Sequence, residues 1–176
     1  MRLLTPGFCI LFIGIFAIES SAQSSNYVAL FRHASVRIET GIPGEKSCML
    51  ISPAGEFRLE KGLAINAGRK KAKVFIASLS SEQMESLRAL LSRPQILSLN
   101  TPSKPGVSYG VPTRDADIFA AQIPRGEKIQ SIYFIQDDYH SKWPPGLKDI
   151  EKWFLKVSGQ KLVEDKTKQP NNCAAL

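Results

Sequence analysis

The sequence predicts an α+β fold, a two-layer sandwich in which an antiparallel sheet of five to six strands carries two helices on one face. The strand-like segments are short and are joined by tight turns, which favours antiparallel pairing. The turn pattern Pro-x-Gly-Glu occurs twice, at 53–56 and 124–127, and an amphipathic helical stripe follows each copy. Helices that bury one stripe against a sheet produce this layered arrangement. The repeat is either a weak internal duplication or a product of the small set of residues that hairpin turns use.

The first half of the chain predicts four strands and one helix. The strands are expected where alternating or mostly apolar residues are bounded by turns, at 27–39, 47–52, 56–61 and 73–79. Pro53-Ala54-Gly55 is a hairpin turn in which the glycine is available for positive φ. Ser80 is suited to cap a helix, and Gln83 completes a capping box. The apolar stripe of this helix consists of Met84, Leu87, Leu90 and Leu91.

The second half predicts two more strands and a second helix. Pro94 ends the first helix, and residues 93–113 are predicted to be loop because they hold four prolines and two glycines. Two strands joined by a turn are expected at 117–123 and 129–136. Pro144-Pro145-Gly146 starts the last helix. Its apolar stripe consists of Leu147, Ile150, Phe154 and Val157.

The N-terminus predicts export. Arg2 supplies a positive start, residues 3–18 are mostly apolar, and the small residues Ser20 and Ala22 fit a cleavage site. We therefore expect residues 1–22 to be a signal peptide that is cleaved after Ala22. The alternative is a membrane anchor, but the apolar run is short for a span of about 20 residues. The mature protein is expected to be secreted or periplasmic, with no stable membrane insertion.

Composition limits the remaining classes of protein. The chain has 176 residues, of which 43% are hydrophobic and 22% are charged, and its formal net charge is +7. This apolar content excludes disorder throughout, and the single long apolar run excludes a polytopic membrane protein. We expect one α+β domain at 23–160 and a polar, disordered C-terminal tail at 161–176. Cleavage removes one basic and one acidic residue, so the mature chain stays basic.

Two cysteines remain after the expected cleavage, Cys48 and Cys173. In an oxidising compartment they are candidates for a disulfide that closes a long loop. The alternative is a free thiol, because Cys173 lies in the polar tail.

A basic cluster stands out in the middle of the chain. Arg69, Lys70, Lys71 and Lys73 place four positive charges within five residues. Such a cluster attracts nucleic acid, anionic lipid or an acidic protein, and export argues against nucleic acid as the partner. The cluster is therefore a candidate binding surface for an acidic protein. The alternative is a solvated connection whose lysines discourage edge-to-edge strand pairing.

The segment Leu30-Phe31-Arg32-His33-Ala34 resembles the opening motif of histidine phosphatases, in which a strand ends in Arg-His-Gly or Arg-His-Ala. The resemblance implies that His33 attacks phosphate, that Arg32 binds the phosphate oxygens and that His140 is the second histidine. It also implies a parallel sheet, whereas the hairpins of this chain predict antiparallel strands. A phosphohydrolase is therefore the enzyme alternative.

Residues 137–140, Asp-Asp-Tyr-His, form the one dense group of metal-ligand residue types in the sequence. They are either ligands of a divalent ion or an acidic solvated loop, and we favour the loop. The histidines and cysteines show no zinc-site spacing. We therefore expect no metal and no cofactor.

A further set of residues concerns the layout as a whole. It comprises the hairpin at 48–61 with Gly55-Glu56, the helix start at 79–87, the strand at Asp117 and Pro145-x-Leu147. In these features the chain resembles small exported bacterial domains of uncharacterised function and the small metalloprotease inhibitor emfourin. The resemblance implies a binding or inhibitory role and carries no catalytic residue. We expect an exported, monomeric, non-catalytic binding domain whose partner is an acidic protein or a protease.

Overall fold

The computed structural model describes residues 26–37, 44–63, 72–99, 115–137 and 143–170. These residues form six strands and three helices, which confirms the prediction of a mixed α+β chain. The strands are β1 (Ala29–Val36), β2 (Glu45–Ile51), β3 (Glu56–Leu63), β4 (Lys73–Ser78), β5 (Ala116–Arg125) and β6 (Lys128–Asp137). The helices are α1 (Ser81–Leu91), α2 (Pro94–Leu97) and α3 (Pro145–Ser158). The predicted signal peptide, residues 1–22, lies outside the described residues.

All six strands belong to one sheet with the order β4-β3-β2-β1-β5-β6. Every neighbouring pair is antiparallel, as the hairpin turns predict. The N-terminal strand β1 is central, because β2 pairs with one side of it and β5 with the other. The order brings the two predicted hairpins, β2–β3 and β5–β6, to opposite sides of β1.

Each hairpin turns on a glycine with positive φ. Gly55 has a φ of 87° and Gly126 a φ of 65°, a region that L residues with a side chain rarely adopt. In the first turn the Gly55 N–H donates to the Ser52 carbonyl oxygen, and the Ser52 N–H donates to Glu56. The Gly55 carbonyl then accepts the N–H of Leu79, which links this turn to the start of α1.

The two long helices form as the apolar spacing predicts. Ser80 and Gln83 make both hydrogen bonds of the capping box, and the four stripe residues of α1 are buried. All four stripe residues of α3 are buried as well, together with Trp153. The prediction of loop from residue 93 onward is wrong for α2. Pro94 occupies the first turn of that helix, where its missing N–H costs no hydrogen bond.

The core joins alternate positions of the strands to the buried stripes of the helices. The rings of Phe31 in β1, Phe119 in β5 and Phe154 in α3 lie with their centroids 5.9 to 6.2 Å apart. Burying an aromatic side chain of this size contributes about 1.5–3 kcal/mol, so this trio anchors α3 to the centre of the sheet. The same cluster contains Met49, Leu59, Leu87, Leu90, Ile132, Leu147 and Ile150.

The chain that follows α3 runs against the edge strand β4. Glu164 forms an isolated antiparallel bridge with Phe75, and the Asp165 N–H donates to the Val74 carbonyl at 2.8 Å. Further on, an Arg58 guanidinium N–H donates to the Gln169 carbonyl. Residues 161–170 are thus the described part of the segment 161–176 that the sequence predicts to be a tail. Residues 171–176 lie outside the described residues.

Candidate functional site

A cavity that is available for binding lies beside the C-terminal end of α3, and we call it the α3 cleft. Its volume is about 720 Å³. His33, Ser47, Lys61, Lys73, Leu63 and Leu155 line it, and so do Lys46 and Glu45. A cavity of this size is in the range that binds small molecules or a short stretch of a protein partner.

Four polar side chains form one row along the floor of the α3 cleft. His33 lies opposite Ser47, Ser47 opposite Lys61, and Lys61 opposite Lys73. Residues that lie directly opposite one another in antiparallel strands project from the same face, about 4.5–5.5 Å apart at Cβ. We call these four residues the polar row. It crosses four neighbouring strands and presents an imidazole, a hydroxyl and two ammonium groups.

The C-terminal end of α3 forms one wall of the cleft. The Lys61 ammonium donates to the Ser158 carbonyl oxygen at 2.6 Å, which places a positive charge at the negative end of the helix dipole. Leu155 on this wall is 46% exposed, and Leu63 at the end of β3 is 40% exposed. The cleft therefore combines hydrogen-bond donors on its floor with two accessible leucine side chains.

His33 lies at the inner end of the polar row, beneath α3. Its ring centroid is 6.1 Å from that of Phe154 and 6.5 Å from that of Phe119, and its Nε2 lies 3.7 Å from Glu151 Oε1. Burial lowers the pKa of the His33 imidazole, and burial raises the pKa of the Glu151 carboxyl. Both shifts favour uncharged forms. Because the pKa of His33 lies below the ordinary 6.5, its imidazole is mostly uncharged at pH 7, and the contact with Glu151 is a polar contact rather than a full ion pair.

A second polar group begins at Ser35, the next residue of β1 on the same face of the sheet as His33. The Ser35 hydroxyl donates to Asp117 Oδ1 at 2.8 Å, and the Arg37 guanidinium donates to the same oxygen at 2.9 Å. The negative charge of Asp117 raises the pKa of His33 against the larger effect of burial, while Arg37 lowers it. The pKa of His33 thus depends on burial first, and then on the charges of Asp117 in β5, Arg37 just after β1 and Glu45 in β2.

The charge of the cleft lining is predominantly positive. Lys46, Lys61 and Lys73 carry positive charge and Glu45 carries negative charge. Lys73 is also 3.7 Å from Glu164, but its side chain is 65% exposed, so this ion pair is open to water and weak.

The structure brings only part of the predicted site residues together. Lys73 of the basic cluster lines the α3 cleft with His33, and these two belong to the same row. Arg69, Lys70 and Lys71 lie outside the described residues, in the connection that leads from Leu63 to Lys73.

Arg32 and His33 do not share a site. Adjacent residues of a strand point to opposite faces of the sheet. His33 faces α3, and Arg32 is opposite Cys48 and Ala120 on the other face. β1 is flanked by antiparallel strands and continues to Val36, three residues beyond His33. His140 lies outside the described residues.

Cys48 is fully buried and is disulfide-bonded. The other cysteines of the chain, Cys9 and Cys173, lie outside the described residues. Arg58 holds Gln169 on the face of the sheet that carries Cys48, since Arg58 lies opposite Leu50 in β2.

The sequence contains a signal for the pairing of Ser47 with Lys61, although neither residue belongs to a motif. Ser52 and Glu56 pair across the β2–β3 turn, and Ser47 and Lys61 are equally far from it. Because the turn sets the register of a β-hairpin, the pairing of Ser47 with Lys61 can be predicted from the turn alone. Its alignment with His33 and Lys73 does not, since it depends on strands that are distant in sequence.

The described residues hold neither a metal-binding cluster nor a membrane-spanning helix. Within the five described ranges, no group of three or more His, Cys, Asp or Glu side chains is arranged to hold a metal ion. No helix in the described part of the chain has the length and apolar character needed to cross a membrane. The segment 138–140, which holds most of the predicted acidic group, lies outside these ranges.

Comparison with known proteins gives no family assignment, since no protein-family model matches the chain and no curated protein is significantly similar to it.

Proposed function

We propose that the chain is an exported, non-catalytic binding domain that holds an acidic protein partner at the α3 cleft and through the basic cluster. The observation that carries the proposal is the polar row, in which Ser47, Lys61 and Lys73 present donors and positive charge beside two exposed leucines. Complementary charge speeds encounter and selects the partner, and apolar side chains that lose water add affinity. A protease is the first class of partner to test, because of the resemblance to emfourin.

The position of His33 supports binding rather than phosphoryl transfer. A phosphatase of this type needs a guanidinium on the same phosphate that the imidazole attacks. Strand alternation puts Arg32 on the far side of the sheet from His33. The imidazole is also packed between aromatic rings and Glu151, whose carboxylate would repel an anion.

We further propose that the helices form a second layer on one face of the sheet. The buried residues of α1, α2 and α3 belong to one cluster with the strand positions that alternate toward them, which supports this layering. The same arrangement accounts for the cleft, since a helix that ends above the sheet leaves the strand ends beyond it uncovered.

The disulfide at Cys48 supports the proposed route of export. Disulfides persist in oxidising compartments and are rare in the cytosol. We propose a secreted or periplasmic, monomeric protein that is processed after Ala22. We also propose that Cys173 is the second cysteine of this bond.

The test is capture of a partner by the immobilised mature chain, residues 23–176, from periplasm or culture medium. The key variant replaces Arg69, Lys70 and Lys71 with glutamine. The matched control replaces three exposed lysines elsewhere, Lys128, Lys148 and Lys152.

We expect the wild type and the control to retain the same acidic protein and the key variant to lose it. Equal retention by all three proteins would contradict the proposal. If the mature chain releases phosphate from a phenyl phosphate ester and the His33→Gln variant does not, the enzyme alternative replaces the proposal.

A further inference from the structure

We infer that the α3 cleft is a carboxylate-binding subsite that takes an extended acidic segment of the partner, with glutamate or aspartate side chains over the polar row and an aliphatic side chain between Leu63 and Leu155. This inference rests on the proposed function and specifies the chemistry that the cleft recognises.

The polar row supplies the donors that a carboxylate needs. The Ser47 hydroxyl has one O–H, and each lysine ammonium has three N–H groups, of which Lys61 spends one on Ser158. Two N–H groups of Lys61 therefore remain for an incoming oxygen. Hydrogen bonds from an ammonium to a carboxylate are shorter and stronger than neutral ones. Neighbouring positions of the row are about 5 Å apart, so one carboxylate can accept from two of them.

The spacing of the row also favours an extended segment over a compact ligand. Side chains of an extended chain alternate, and those on one side repeat about every 6.6–6.8 Å. Ser47 and Lys73 are two strands apart, so their separation of about 9.6 Å leaves room for two acidic side chains along the row. The two ammonium groups occupy neighbouring positions at the Lys61–Lys73 end of this distance, and the Ser47 hydroxyl lies at the other end.

The two exposed leucines give the subsite its apolar part. Leu63 ends β3 and Leu155 lies on α3, and both line the same cavity as the polar row. Leucines with 40% and 46% exposure beside a charged floor present apolar area to any segment that enters the cleft. Burial of this area yields affinity that does not depend on salt, unlike the charge contacts.

The carboxylate belongs to a side chain and not to a chain terminus. Terminal carboxylates are held by nests of backbone N–H groups. The helix end in this cleft is the C-terminal end of α3, which presents carbonyl oxygens, and Lys61 already neutralises it. The remaining donors are side chains spread along a row, which fits internal glutamate or aspartate residues.

The experiment is a titration of the isotope-labelled mature chain, residues 23–176, followed by backbone amide NMR. The probe is a blocked peptide of alternating glutamate and leucine. A second peptide has glutamine in place of every glutamate. A third is the glutamine peptide with a free terminal carboxylate.

We expect the glutamate peptide to shift the amide signals of Ser47, Lys61 and Leu155, and both glutamine peptides to bind at least about tenfold more weakly. Ser47→Ala and Lys73→Gln each weaken binding of the glutamate peptide about threefold, and Lys148→Gln leaves it unchanged. Leu155→Ala weakens it about fivefold, while Leu97→Ala, an exposed leucine on α2, leaves it unchanged.

Three results would overturn the inference. The first is equal binding of the glutamine and glutamate peptides, and the second is binding that requires the free terminal carboxylate. The third is capture of a partner that needs Arg69, Lys70 and Lys71 but is indifferent to Ser47→Ala, Lys73→Gln and Leu155→Ala, which would leave the proposed function standing without this subsite. Absence of any partner in the capture experiment would remove both.

Discussion

At the scale of single residues, His33 shows how position in a strand limits chemistry. The triplet Arg32-His33-Ala34 resembles a phosphatase motif, but alternation sends the two side chains to opposite faces. What remains is a partly buried imidazole that packs on Phe154 and contacts Glu151. The burial of this imidazole predicts how the folding stability changes with pH, whatever the partner is.

Acidification is expected to destabilise the protein through His33. Burial lowers the pKa of its imidazole from the ordinary 6.5, so the unfolded chain binds the proton first and folding stability is lost as the pH falls below 6.5. Glu151 acts in the opposite direction, because its raised pKa makes the folded chain take up a proton first above the ordinary 4.5. Asp117, Glu45 and Arg37 also act on His33.

The measurement is urea unfolding of wild type and His33→Gln from about pH 7 to about pH 5. The variant keeps the Glu151 contribution and loses that of His33. We expect the stability of the wild type, relative to the variant, to fall over this range. A difference between the two proteins that is constant with pH would contradict the account of His33.

The disulfide at Cys48 gives a second prediction at this scale. If Cys173 is its partner, the bond closes a long loop, and Cys173→Ser lowers the free energy of unfolding by about 4 kcal/mol. Peptide mapping without reductant should recover one linked pair that contains Cys48 and Cys173. A Cys173 thiol that reacts with an alkylating reagent before reduction would show that this pairing is wrong.

At the scale of elements, the turn residues and the apolar stripes of the sequence predict most of the secondary structure. Both helices of more than one turn, the six strands and the positive φ of Gly55 follow from local patterns. The strand order does not, because β1 pairs with β5 across more than 80 positions of sequence. The α3 cleft could not be predicted for the same reason. The cleft forms where β1, the β2–β3 hairpin, β4 and the end of α3 meet. The local spacing of apolar residues does not show which distant elements lie together.

The two hairpin glycines offer a matched pair of variants. An alanine that replaces either glycine would have to adopt the same positive φ, which lowers the free energy of unfolding by about 1–2 kcal/mol. At Gly55 the new Cβ would also lie 3.1 Å from Met84 Cγ, whereas at Gly126 it meets nothing within 4 Å. We expect Gly55→Ala to lower the free energy of unfolding by about 1 kcal/mol more than Gly126→Ala. Equal losses in chemical denaturation would mean that the first turn does not depend on its contact with α1.

The hydrogen bond from Lys61 to the end of α3 gives the second prediction for an element. Lys61→Met keeps the length of the side chain but removes the donor to Ser158, and we expect a loss of about 1 kcal/mol. Lys73→Met is the control, since its pair with Glu164 is exposed and contributes about 0.5 kcal/mol or less. If both variants unfold at the same denaturant concentration, the wall of the cleft is not held by Lys61.

At the scale of the whole molecule, the proposed binding site of this basic chain lies at one end of the sheet. The polar row and the two exposed leucines line the α3 cleft beside the C-terminal end of α3. The chain segment that leaves α3 contacts β4 at Glu164 and Asp165 and then meets Arg58 of β3 at Gln169, on the face that carries Cys48. The proposed binding site and the Cys48 disulfide therefore lie on opposite faces of the sheet.

The most direct test of the central claim is the affinity of the purified, captured partner for the mature chain at about 0.05 M and about 0.2 M salt. The wild type is compared with the variant that lacks the charges of Arg69, Lys70 and Lys71. We expect the wild type to lose affinity as salt increases and the variant to bind weakly at both concentrations. Equal affinity of the two proteins, unchanged by salt, would contradict the claim that this end of the sheet binds an acidic partner.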